Sequence, residues 1–244
     1  MARVETRTEI EFDSPTLIEG LPGVGLVGKI VADHLVDTFG MDYHAAVRCE
    51  GVPEVATYRG GRSALRPPVR LHADAERDLL VLQSDIPVSP SAASEFATCV
   101  TGWLADHDAT PVYLSGMPAE KEGTPEVYGV ATGGGEALLD EAGIVPPHEA
   151  GAVSGPTGAL LAQADAEALD GVGLIAEASP QFPDPEAARA VITGGVEPLT
   201  GIEVGTDELV EQAEEISDAR EQLAKRMQGA DDEASQAQPL RMFQ

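Results

Sequence analysis

The sequence predicts an α/β protein. It is read as a mostly parallel sheet covered by helices on both faces, with an added hairpin and a C-terminal helix. Three observations carry this reading. Segments of strand and helix pattern alternate along the chain. Several strand segments are apolar throughout, as strands buried on both faces are. A glycine-rich turn follows an early strand and precedes a helix.

The elements follow in order. Thr8 to Phe12 alternates as a strand, and Thr16 to Glu19 is a second short apolar run. Gly20 to Lys29 is the glycine turn, and a helix follows to about Phe39 with Ile30, Val31, His34 and Leu35 on one face. Tyr43 to Glu50 reads as a strand. Val55 to Tyr58, Gly60-Gly61 and Val69 to Leu71 suggest a hairpin excursion. Asp78 to Gln83 is a buried, parallel-type strand. Ser89 to His107 is a helix with Pro90 in its first turn and Phe96, Val100, Trp103 and Leu104 as its stripe. Strands are expected at 111–115, 127–131 and 171–176, and helices at 134–142, 157–164 and from Asp184 to about Gly194.

The end of the chain has a different character. The α/β body is expected over 1–205. An amphipathic helix with a narrow apolar stripe (Leu209, Ala213, Ile216, Leu223, Met227) is expected over 206–228. Residues 229–244 read as a flexible acidic tail that turns apolar at Leu240 to Gln244.

Composition narrows the function. Forty-two acidic residues face fifteen basic ones, giving a net charge of −27 and a pI near 4.2. Only Lys29, Lys121 and Lys225 are lysines. Acid-rich, lysine-poor surfaces suit a multimolar-salt cytoplasm, because at about 1 M salt the Debye length is about 3 Å and self-repulsion is screened. The same charge argues against nucleic acid as a partner. No apolar run approaches the roughly 20 residues of a membrane span, and the first residues lack a signal-peptide core, so a cytoplasmic protein is expected. Cys49 and Cys99 read first as two reduced, buried thiols, with a disulfide or a metal pair as the lesser reading. One basic segment breaks the trend: Arg48, Arg59, Arg62, Arg66, Arg70 and Arg77. These either pair locally with Glu50, Glu54, Asp74 and Glu76 or form an interface, for which Arg59, Arg62 and Arg66 are the candidates.

Catalytic patterns are weak. Gly23 to Gly28 fits G-x-G-x-x-G, with Glu50 near the place of a ribose-binding acid. Gly23 to Lys29 also fits G-x-x-x-x-G-K, but Ile30 stands where a nucleotide loop needs Ser or Thr for magnesium. The simpler reading is that Gly20, Gly23, Gly25 and Gly28, before Lys29, let a strand-helix turn pack tightly. Ser115 and Ser154 lack the G-x-S-x-G frame. The five histidines are scattered without metal-ligand spacing, so no metal, cofactor or catalytic residue is assigned.

Four motifs in order carry a family resemblance. They are Leu17 to Leu35, Gly151 to Leu161, Phe182-Pro-Asp-Pro-Glu-Ala-Ala188 and Thr206 to Ala213. The sequence over about 14–228 resembles the proteasome assembly chaperone family, in particular the archaeal and bacterial relatives of the second chaperone. The resemblance implies an α/β fold of phosphorylase-like three-layer architecture, homo-oligomers, no known catalytic residues, and proteasome α-subunits as partners. It also gives Met242-Phe243-Gln244 a meaning. Related factors end in a hydrophobic residue, Tyr and any residue, which dock between α-subunits; here Phe243 replaces Tyr. The expected function is therefore an ATP-independent, non-catalytic protein-binding factor of the proteasome system. The alternatives are a nucleoside- or nucleotide-binding enzyme or sensor using the Gly20–Lys29 turn, and a homo-oligomer without proteasome contact.

Overall fold

The structure is a computed structural model of the chain that describes residues 3–8, 10–49, 52–58, 63–119 and 123–213. Eight strands form one sheet: β1 (Arg3–Thr6), β2 (Thr16–Gly20), β3 (Asp42–Arg48), β4 (Val69–Asp74), β5 (Leu79–Ser84), β6 (Thr110–Pro118), β7 (Val127–Thr132) and β8 (Gly171–Ala178). Their order is β1-β3-β4-β5-β2-β6-β8-β7. The central strands β5, β2, β6 and β8 are mutually parallel, and antiparallel strands extend the sheet at both edges. Apolarity tracks this layout: Leu17 and Ile18 of β2 and Leu80 to Leu82 of β5 are fully buried because helices cover both faces.

Helices α1 (Val27–Thr38) and α5 (Pro185–Val191) pack together on one face, where α3 (Glu136–Ala142) and α6 (Glu197–Thr200) also meet. Val31, Leu35, Val191 and Ile192 fill this half of the core against Ile18, Val81 and Leu114. Helices α2 (Ala93–Ala105) and α4 (Gly155–Ala166) pack on the other face, with Phe96, Val100, Leu104 and Leu160 against Leu17, Leu71 and Leu82. Residues 207–213 are helical, and Leu209 is buried in the α1 half of the core. The Gly205 carbonyl lies 2.6 Å from Nε2 of His34 on α1. The expected continuation to residue 228 and the tail lie outside the described residues.

Three expectations are corrected. The first strand is Arg3–Thr6 rather than Thr8–Phe12. It pairs antiparallel with β3, after which Arg7 and Thr8 both donate their amides to the His44 carbonyl and the chain leaves the sheet. The alternation at 8–12 instead turns Ile10 and Phe12 onto the α2-side core. The excursion after β3 is less regular than a hairpin. Among the described residues it holds the single antiparallel bridge Thr57–Arg66, and β4 pairs with β5 along its whole length and with β3 over Arg70–Ala73. Finally, Cys49 and Cys99 are joined in a disulfide. Cys49 follows β3 on the face that α2 covers, and Cys99 lies on α2, so the fold brings Cα atoms 50 positions apart to 6.1 Å. The apolar context of each cysteine gave no sign of the other.

Candidate functional site

The glycine turn lies at the carboxyl end of β2, where wound α/β sheets place their ligands. Here its space is taken by the chain itself. A Cβ on Gly20 would run into Ala32 of α1 and lie 2.9 Å from the Gly28 carbonyl. Gly25 has φ +62°, and a Cβ there would stand 2.9 Å from Ala178 Cβ at the end of β8. Gly28 faces Leu114 Cβ at 3.3 Å, and only Gly23 of the four has open space. Lys29 at the start of α1 turns toward carboxylates, 2.9 Å from Asp33 and 3.7 Å from Asp85.

Two acids pin the turn. Asp184, buried at 4% exposure, donates its amide to the Gly25 carbonyl at 2.8 Å. Its carboxylate accepts from the amides of Ala187 (3.0 Å) and Ser179 (2.8 Å), so it caps α5 and ties it to the end of β8. The Phe182–Ala188 motif therefore meets the first glycine motif in space. Glu19, fully buried at the end of β2, accepts from the amides of Leu21 (3.1 Å) and Leu114 (3.0 Å) and from the Thr157 hydroxyl (3.1 Å). It joins the glycine turn, β6 and the start of α4, which carries the second glycine motif. Burial pushes its pKa up to about 7, although all three hydrogen bonds favour the charged form. Both acids stand inside quoted motifs. A lone acid in the apolar run Leu17-Ile-Glu19 was the available signal for Glu19.

Toward the β1 edge the α1-side face of the sheet changes character. Cross-strand pairs Glu5–Ala46, Ala46–Arg70 and Arg70–Gln83 put these residues in one row on that face. Arg70 is 2% exposed and its donors are used internally: on Asp85 (2.5 and 3.1 Å), Gln83, the Pro67 carbonyl (3.1 Å) and His72 Nε2 (3.3 Å). Gln83 in turn donates to Asp33 of α1 at 2.5 Å. Burial works against the Asp85 carboxylate, but the Arg70 guanidinium outweighs it and holds its pKa below the ordinary value. This network ends the cover that α1 gives the sheet.

Beyond it lies an open groove of about 1250 Å³ between β1, β3 and the excursion. Arg3, Arg7 and Arg48 all share Glu5, at 2.6, 3.3 and 3.1 Å. The Arg66 guanidinium stacks 4.6 Å over the Tyr43 ring. Val55 (49% exposed) and Leu65 (63% exposed) add apolar surface, and the exposed Tyr58 lines a smaller neighbouring cavity. Of the local pairings read from the sequence, Arg77–Asp74 is present at 2.6 Å, whereas Arg48 and Arg70 take Glu5 and Asp85. Arg66 lies on the groove. Arg59, Arg62 and Glu50 lie outside the described residues, as do Met242, Phe243 and Gln244. Among the described residues no three His, Cys, Asp or Glu side chains form a group able to hold a metal ion, and no helix is long and apolar enough to cross a membrane.

Fold and site together describe a three-layer α/β protein whose glycine turn is closed by its own chain and whose open surface is an arginine-rich groove. Residues 17–224 match the model of the PAC2 family, and the chain belongs to that family. It is 28% identical over 220 residues to the uncharacterized protein MJ0106 of Methanocaldococcus jannaschii, covering 90% of this chain and 89% of that one. Among solved structures it is similar to Pyrococcus furiosus PbaA, described as an archaeal homolog of proteasome-assembly chaperone. That match has 27% identity and a TM-score of 0.78, covering 94% of this chain and 99% of PbaA. The fold is shared with P. furiosus PbaB, an archaeal proteasome activator, at 23% identity and a TM-score of 0.77, covering 91% and 98% of the two chains.

Proposed function

We propose that this chain is a non-catalytic protein-binding factor of the proteasome system, acting on proteasome α-subunits without ATP. The observation that carries the reading is its likeness to PbaA over nearly the whole length of both chains. Membership of the PAC2 family supports it. So does the glycine turn, whose Gly20, Gly25 and Gly28 pack against the chain's own atoms and so have a structural reason that needs no ligand. The body then serves as a rigid carrier, built as a homo-oligomer in a salt-rich cytoplasm. The segment ending Met242-Phe243-Gln244 docks between adjacent α-subunits. Phe243 supplies the ring of the related motif and lacks its phenolic hydroxyl, whose hydrogen bond contributes about 0.5–1.5 kcal/mol. Several tails on one oligomer offset that loss by avidity.

The test is recovery of α-subunits on the immobilised protein, with and without residues 242–244. The reading expects recovery by the intact chain and at least a tenfold loss on deletion. Equal recovery from both would overturn the tail contact, and no recovery from either would overturn the proteasome role. Light scattering on the intact chain gives the oligomer, and a monomer would remove the avidity argument.

A further inference from the structure

The Cys49–Cys99 disulfide joins two elements that the fold already holds. β3 is paired with β1 and β4, and α2 is seated by Phe96, Val100 and Leu104 in the core beneath it. A body of this size buries enough surface to fold without a covalent link. What the bond adds is an anchor for the chain that leaves β3. Cys49 is the first residue after that strand, and β4 begins only at Val69. Early in this stretch the backbone bonds locally. The Val52 amide donates to the Cys49 carbonyl at 3.2 Å, and the Val55 amide to the Pro53 carbonyl at 2.9 Å. The Val52 side chain packs on the α2-side core. Farther along, the Thr57–Arg66 bridge and the stack of Arg66 on Tyr43 take over. The first half of the excursion therefore hangs on Val52 and on the disulfide.

The bond also lies near solvent on both sides. Cys49, 5% exposed, lines the arginine-rich groove. Cys99 is half-buried and lines a second open cavity of about 620 Å³. Arg3 and Val4 of β1 wall that cavity on one side, and Ser94, Thr98 and Trp103 on the other. An attacking thiolate entering there meets Cys99 first.

We propose that Cys99 is a thiol–disulfide exchange site, and that its bond to Cys49 is a clasp on the excursion which a dithiol reductant opens. One thiolate of the reductant attacks the Cys99 sulfur. A mixed disulfide forms, and Cys49 leaves as a thiolate and takes up a proton. The reductant's second thiolate then attacks its own sulfur in the mixed disulfide and expels Cys99, which is protonated in turn. Two electrons and two protons pass to the protein, and the dithiol departs as a disulfide. Reclosure uses an oxidant of the disulfide class by the same steps in reverse. With the clasp open, the groove loses the fixed wall that Val52, Pro53 and Val55 give it, while β3 and α2 stay in place. The groove is thus formed in the oxidised protein and unformed in the reduced one. The inference takes from the proposed function only its cytoplasmic setting, where thiol pools keep accessible disulfides under exchange. It stands or falls apart from α-subunit binding.

The test treats the oxidised full chain with dithiothreitol at high salt and without denaturant. Released thiols are counted by mass after alkylation. Amide exchange is followed in peptides covering 52–58, 63–68, β3 and α2. Release of both thiols is expected with the far-ultraviolet circular dichroism unchanged. Exchange over 52–58 should quicken at least about five-fold, and over β3 and α2 by less than about two-fold. With the monothiol 2-mercaptoethanol, the mixed disulfide should map to Cys99. Cys99→Ser should show the fast exchange over 52–58 without any reductant, and the reduced wild-type chain carries the same comparison independently of that variant. Thiol release only in step with urea unfolding would overturn the proposal, as a bond that merely braces the body behaves so. Unchanged exchange over 52–58, or exchange quickened equally over β3 and α2, would overturn the clasp. A mixed disulfide on Cys49 would overturn Cys99 as the site attacked.

Discussion

Glu19 sets a pH dependence that a carboxylate does not usually set. Its folded pKa, about 7, lies above the ordinary 4.5 because burial penalises the charged form. The folded state therefore holds a proton that the unfolded chain releases. Its contribution to stability is fully present below pH 4.5 and is lost as pH rises through 7, a change on the order of 3 kcal/mol. In Glu19→Gln this slope should vanish. The variant also loses about 1–3 kcal/mol at every pH, because an amide NH₂ must face the Leu21 or Leu114 amide. Urea midpoints of both proteins at pH 5 and pH 8 check this: the gap between them should narrow at the higher pH. The glycines divide at the same scale. Gly20→Ala should destabilise by about 1–3 kcal/mol through the clash with Ala32, while Gly23→Ala should stay within about 0.5 kcal/mol. The pattern of four glycines was plain in the sequence, but it could not say which were packed and which open. That depends on Ala32 and Ala178, which no local spacing connects to the turn.

At the scale of elements, Asp184 is a cap whose loss should reach beyond its helix. Asp184→Ala removes the acceptor of the Ala187 and Ser179 amides. A loss of about 2 kcal/mol in chemical denaturation is expected, with faster amide exchange in the glycine turn that its backbone also holds. The disulfide acts at the same scale by fixing α2 to β3. For a closed loop of 50 positions the chain-entropy model gives about 4 kcal/mol. Reductant should lower the thermal midpoint accordingly, and denatured protein should show no free thiol before reduction. Most elements were legible: apolar runs gave the parallel strands, and the stripes of α1 and α2 gave their buried faces. The first strand was not. Alternation at Thr8–Phe12 imitates a strand, and only the pairing of Arg3–Thr6 with β3 decides which short stretch joins the sheet. The cysteine pair was hidden for the same reason, since the facing of a position just after β3 and one on α2 is a property of the packed layers.

For the whole molecule, the charge of −27 predicts a strong salt response. Raising KCl from about 0.1 to about 1 M shortens the Debye length from about 10 to about 3 Å, and the thermal midpoint should rise as self-repulsion is screened. A flat midpoint would show that the acidic residues are already balanced within the fold. The three-layer architecture was readable from the order of segments, and the family from four motifs, three of which the structure brings together around Glu19 and Asp184 while the fourth packs on the α1 side through Leu209. The groove was only half readable. The arginine-rich segment stood out, but Arg3 and Arg7, remote in sequence, complete it through the antiparallel pairing of β1 with β3.

The position of β2 has a consequence for how the chain reaches this state. It is made before either of its neighbours, yet it sits between β5 and β6 in the middle of the sheet. Its second neighbour ends only at Pro118, about 100 residues later. Through that interval Leu17 and Ile18 lack a partner on one side, while β3, β4 and β5 can already zip together as a local antiparallel unit. The nascent chain thus carries an open apolar slot from the making of β2 until β6 follows, and that slot is where a holding factor or an aggregating neighbour would first take hold.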